Sequence, residues 1–156
     1  MSDWPSEYSP ANSPVHALNE IRTELAAEQL WPVLIDAADW PRWYSNARDV
    51  VLGPSHEVLS QGATFQWTTF GLRITSTVSE FVPGRRLGWS GRGRGSAGYH
   101  RWVLEPLPGG GTRIVTEEVQ QGPMARLLAP LVRRSIERQH QRWLEGLVQT
   151  AGRAES

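Results

Sequence analysis

The chain has 156 residues, no cysteine, and sixteen basic against sixteen acidic residues. A domain of that length buries roughly 70% of its unfolded surface, so a single core suffices without disulfide or metal. The missing thiols exclude disulfides, thiolate zinc sites, iron–sulfur clusters and cysteine nucleophiles, and the balanced charge argues against a general nucleic-acid binder.

Residues 1–14 are rich in Ser, Pro and acid, without periodicity, and read as a disordered, mobile tail. They offer no basic start and no apolar stretch, so they do not form a signal peptide. No run approaches the roughly 20 apolar residues of a membrane span. A cytoplasmic protein without stable membrane insertion is expected. The single domain is expected over residues 15–152.

Residues 15–25 read as a strand. Residues 26–37 follow with Leu30, Leu34 and Ala37 at helical spacing and Pro32 within them. Residues 39–44, DWPRWY, give a second short helix, with Asp39 placed to cap it. Six β-rich runs come next: 48–59, 63–70, 72–82, 85–91, 99–107 and 112–120. Glycine and proline signals separate them, and short spacers mean hairpins, hence an antiparallel meander. From residue 124 to about 151, Leu128, Leu131, Val132, Ile136, Trp143, Leu144, Leu147 and Val148 trace the stripe of an amphipathic helix. Gly122-Pro123 opens it, and Pro130 bends it or marks its first turn. The fold class is therefore α+β: a seven-stranded antiparallel sheet with one face covered by a long C-terminal helix. A curved sheet gripping one helix leaves room for a pocket.

Eight tryptophans are many for this length. Tryptophan lines pockets and interfaces as well as cores. Strand parity puts Phe65, Trp67 and Thr69 on one face, Leu87 and Trp89 on one face, and His100, Trp102 and Leu104 on one face. If Leu107 pairs with Thr112, Trp102 meets Glu117, His100 meets Val119 and Leu104 meets Val115, so Val115, Glu117 and Val119 point inward. A slip of one residue substitutes Glu118. A carboxylate beside an imidazole under tryptophans is a candidate acid–base pair, which makes His100, Glu117 and Glu118 the catalytic candidates. His140 follows Ile136 by one turn and precedes Trp143, and is expected to be half-buried in contact with water. His16 and His56 fall in tail and loop without partners, and nothing in the spacing of the four histidines supports a metal site. The SGRGRGSAG stretch reads as a hairpin rather than a nucleotide or RNA contact. Arg133, Arg134, Arg138 and Arg142 form a solvated helix face. There is no nucleophile elbow, Walker loop or HExxH motif.

Four segments carry a resemblance: LWPVLIDAADWPRWYSNARDVVL, STVSEFVPGRRLGWSG, HRWVLEPLPGGGTRIVTEE and the terminal RWLEGLVQTAGRAE. Over residues 15–154 the chain resembles the START-like (SRPBCC) superfamily of helix-grip proteins, especially the bacterial polyketide cyclase/dehydrase and lipid-transport branch. The resemblance implies a hollow interior that binds a small hydrophobic or aromatic molecule; no cofactor is expected. Trp40, Pro41, Trp43 and Tyr44 would close one end of the cavity. Trp43, Tyr44, Phe65, Trp67, Trp89, His100, Trp102, Glu117, Ile136, His140 and Trp143 form the expected ligand-binding set. The resemblance also leaves open a cyclase or dehydratase acting in the same cavity, and a protein-interaction module. A monomer or homodimer is expected.

Overall fold

Alternating apolar and polar residues build one antiparallel sheet from seven strands: β1 Val15–Thr23, β2 Ala47–Leu52, β3 Thr64–Thr69, β4 Leu72–Val82, β5 Arg86–Gly93, β6 Ser96–Pro106 and β7 Thr112–Gln121. The computed structural model describes residues 4–154. The spatial order is β1-β7-β6-β5-β4-β3-β2. Six strands are thus a meander, and the first strand closes against the last. Register shifts between Arg48 and Val51 and between Val78 and Glu80 mark bulges, which bend a sheet and increase its twist.

Two short helices, α1 Ala27–Ile35 and α2 Trp40–Trp43, follow β1 as the sequence predicts. The Asp39 carboxylate does not cap α2; it accepts from Arg42 instead, at 3.2 Å. The run predicted over 48–59 ends as a strand at Leu52, where Gly53-Pro54 turns the chain into a loop.

The predicted terminal helix is broken. α3 Pro123–Leu127 and α4 Ala129–Arg153 meet at Leu128, whose φ of −118° leaves the helical range. Pro130 occupies the first turn of α4, where its missing N–H costs nothing. α4 buries Ile136, His140, Trp143, Leu144, Leu147 and Ala151 along one stripe and packs mainly on β1 and α1. Among the described residues, no helix is long and apolar enough to cross a membrane.

The expected mobile tail is corrected for its described part. Residues 4–14 hold two 3-10 turns, Ser6–Tyr8 and Pro10–Asn12. They lie on the outer face of the sheet. Tyr8 is buried and stacks on Tyr99, 5.8 Å between ring centroids, and Trp4 meets Tyr99 edge-on at 5.7 Å. The aromatic residues supply the apolar area that the segment's composition otherwise lacks. Residues 1–3 lie outside the described residues.

Candidate ligand cavity and its His–Glu cluster

The β6–β7 hairpin sets the chemistry of the interior. Pro106 pairs with Thr112, so residues 107–111 form the loop, and three consecutive glycines there have φ between 84° and 108°. Leu107 bonds across the loop to Gly111 instead of pairing with Thr112. The register is therefore one residue from the predicted pairing. His100 faces Glu118, Trp102 faces Thr116 and Leu104 faces Ile114. Ile114, Thr116 and Glu118 point inward, and Val115, Glu117 and Val119 point outward.

Glu117 is thereby excluded from the interior. Its carboxylate takes a hydrogen bond with the His16 ring at 2.8 Å on the outer face. His16 thus has a partner, which its placement near the tail did not reveal. Val119 is buried there with Tyr8 and Tyr99.

A cavity of about 380 Å³ opens between the inner face of β3–β7 and the α3–α4 junction. Trp67, Ile74 and Trp89 wall it on the sheet side, and Ala125, Val132 and Ile136 on the helix side. Phe70, Met124, Leu128 and Leu131 rim the mouth, and all four are exposed. Buried His100 and Glu118 mark its inner end, with Gln120 next to them on β7, while Thr69, Ser76, Arg94, Ser96 and Ser135 add polar groups elsewhere along the lining. The Trp67 indole N–H donates to Ser76 Oγ at 3.1 Å, which fixes the indole against the wall.

Behind the cavity lies a solid aromatic core. Trp40, Tyr44, Phe65, Trp102 and Trp143 are all at most 3% exposed, and none borders the cavity. Tyr44 stacks on Trp143, 4.5 Å between centroids and 12° between planes. Burial raises the Tyr44 phenol pKa, so the hydroxyl stays protonated. Trp43 lies over Gly146 of α4, where a Cβ would come within 3.0 Å of its ring. The Trp40–Tyr44 segment therefore packs the core rather than closing the cavity.

His100, Glu118 and His140 converge from β6, β7 and α4. His140 is 1% exposed, not half-buried, because its ring stacks on His100 at 4.4 Å with planes 15° apart. His100 Nδ1 and His140 Nε2 each lie 3.4 Å from Glu118 Oε1. His100 Nε2 makes a 2.6 Å bond with Thr116 Oγ1, and Gln120 Nε2 donates to Glu118 Oε2 at 2.8 Å. Burial first, and the neighbouring His140 second, push the His100 pKa well below its ordinary value. His100 is thus a neutral imidazole beside Glu118, its two ring nitrogens turned to Thr116 and Glu118.

Of the predicted set, Trp67, Trp89, His100 and Ile136 line the cavity, with Glu118 in place of Glu117. The glycine-rich stretch holds the signal for the rest. Gly91 and Gly98 face each other on β5 and β6 and border the cavity. A Cβ at Gly98 would lie 2.6 Å from the Val119 carbonyl, and one at Gly91 3.1 Å from Ile74 Cγ2. Glycine at both positions lets Gln120 and Ile74 close in on the sheet where any side chain would crowd them.

The sequence matches the family described as polyketide cyclase/dehydrase and lipid transport over residues 15–152. A search of curated proteins returns no match. Solved structures share the fold. A hypothetical protein from Helicobacter pylori is 29% identical, with a TM-score of 0.88, covering 97% of this chain and 96% of that one. The Zhui aromatase/cyclase from Streptomyces sp. R1128 is 16% identical, with a TM-score of 0.70, covering 90% and 95%. A START superfamily protein from Mycobacterium smegmatis is 12% identical, with a TM-score of 0.65, covering 89% and 98%.

Proposed function

Because the chain belongs to the polyketide cyclase/dehydrase and lipid-transport family, we propose that it binds one small hydrophobic or aromatic molecule in the cavity under α3 and α4. The observation that carries this reading is the cavity itself: about 380 Å³, walled by Trp67, Trp89, Ile74 and Ile136, with buried His100 and Glu118 bordering it. Pockets of this size and make-up hold drug-sized ligands by apolar burial, with a few polar groups fixing orientation. His100, Glu118 and Gln120 would bind a hydroxyl or carbonyl at the inner end. The ligand's apolar body would lie against the tryptophans. The protein would act in the cytoplasm as a monomer or homodimer.

A second reading has one specific observation in its favour. The Glu118 carboxyl borders the cavity with the neutral His100 ring 3.4 Å away to orient it, so it can take and return a proton on a ligand held in a reactive conformer. That is the chemistry of a cyclase or dehydratase acting on a polyketide-like substrate.

Native mass spectrometry of protein purified without unfolding tests the binding reading. A bound small molecule, displaced by 2-naphthol or 1-anilinonaphthalene-8-sulfonate at one per chain, is the expected result. No adduct from the host and no saturable binding of either probe would contradict it. Turnover of a polyketone that is lost in His100→Gln, with binding retained, would select the second reading.

A further inference from the structure

The structure points to a binding site for one borderline first-row divalent cation, of the zinc type, between His100, Glu118 and His140, and we propose it as a metal site at the inner end of the cavity. Nothing in the ligand-binding reading requires it. Three side chains from three separate elements each offer one ligand atom, and the three atoms lie within 4.8 Å of one another. All three residues are buried. Two imidazoles and one carboxylate are the protein ligands of many open zinc sites, and four-coordinate zinc with bonds of about 2.1 Å has ligand-to-ligand edges of about 3.4 Å. Both carboxylate-to-imidazole separations in the cluster are 3.4 Å.

The surroundings match a metal centre in two further ways. Ligating histidines and carboxylates are normally held by outer partners. Thr116 Oγ1 holds the far nitrogen of His100, and Gln120 Nε2 holds the far oxygen of Glu118. Gln120 gives Glu118 one hydrogen bond of good length, whereas the two histidines stand at 3.4 Å. A buried carboxylate is costly unless its charge is compensated, and a dication would compensate it.

The present ring geometry defines what must move. A metal lies in the plane of each imidazole that binds it, whereas the two rings are stacked with planes 15° apart. One ring must turn out of the stack. His140 is the less anchored of the two: its Nδ1 is buried and has no hydrogen-bond partner among the described residues, while His100 is held by Thr116. The fourth coordination position then faces the cavity that His100 and Glu118 border, open to a water or to an oxygen of the bound molecule.

The test uses tag-free, full-length protein stripped with chelator, and Zn²⁺ alone as the probe. Calorimetry is expected to give one Zn²⁺ per chain. Thr116→Val should weaken binding about 10–100-fold, the usual effect of losing an outer partner. His140→Gln should weaken it further, and the double variant His16→Gln/His56→Gln should leave it unchanged. Zinc X-ray absorption on the unmodified protein keeps the test independent of variants that fail to fold. Scattering from two imidazoles with no sulfur is expected. Substoichiometric binding, a spectrum with one imidazole or none, or affinity that follows His16 and His56 would overturn the site. Each of these results leaves binding of the naphthalene probes unaffected, so the two proposals fail separately.

Discussion

His100 on β6 stands directly opposite Glu118 on β7, so the two side chains leave the sheet on the same inner face. Glu117, its neighbour in sequence, leaves through the outer face and meets His16. Two adjacent acids thus have opposite expected behaviour. Glu118→Gln should weaken binding of a hydroxylated aromatic probe about tenfold or more, since a hydrogen bond to a charged group contributes about 1.5–3 kcal/mol. Glu117→Gln should leave binding unchanged and cost about 1 kcal/mol of stability or less, as its hydrogen bond with His16 is partly exposed. Titration calorimetry and urea melts on both variants check this. Equal effects on binding would show that the observed register does not govern the site.

The N-terminal segment is expected to contribute to stability through Tyr8 and Trp4. Tyr8→Ala removes a ring that is 3% exposed and stacked on Tyr99. The cost should be about 2 kcal/mol, a fall of about 4–8 °C in melting temperature for a chain of this size. Differential scanning calorimetry reads it directly. An unchanged melting temperature would show that the segment is a free tail after all.

The contrast between that segment and the sheet shows what sequence pattern carries. All seven strands, both short helices and the apolar stripe of α4 follow from period and turn residues, because those signals are local. The inner faces of β3, β5 and β6 also follow from parity alone. The face of β7 did not, because it depends on a loop one residue longer than predicted, and a one-residue slip reverses every side chain. Residues 4–14 misled because two aromatic anchors outweigh a composition that otherwise reads as disordered. The meeting of His100 with His140 joins a strand to a helix, and no local period encodes such a contact.

Two tryptophans separate wall from core. Trp102 is fully buried against His100 and Trp143 and does not border the cavity. Trp102→Ala should cost about 3–5 kcal/mol. Trp89 borders the cavity, so the space left by Trp89→Ala merges with an existing void and its lining can relax. Trp89→Ala should be the milder change in stability and the larger change in probe binding. Urea denaturation with parallel binding titrations distinguishes them, and the reverse order would place the void behind Trp102.

Acid should destabilise the metal-free protein through His100. Burial and His140 hold its pKa well below the ordinary histidine value. Below about pH 6.5 the unfolded chain gains a proton that folded His100 refuses, so stability falls as pH falls, until the folded ring itself protonates. The groups facing His100 are Glu118 from β7 and His140 from α4. Urea midpoints of chelator-treated protein between about pH 7 and pH 5 should decline, and less steeply in His100→Asn. Equal slopes for the two proteins would show that His100 ionises freely in the fold.

The most direct measurement of cavity binding fills the cavity from the helix side. Val132 borders it from α4 and is only partly buried, so Val132→Trp can place an indole into the void without displacing the aromatic core. Saturable binding of 2-naphthol to the unmodified protein, reduced at least about tenfold in Val132→Trp while the melting temperature holds or rises, is the expected result. Undiminished binding in a folded Val132→Trp would contradict a ligand site in this cavity.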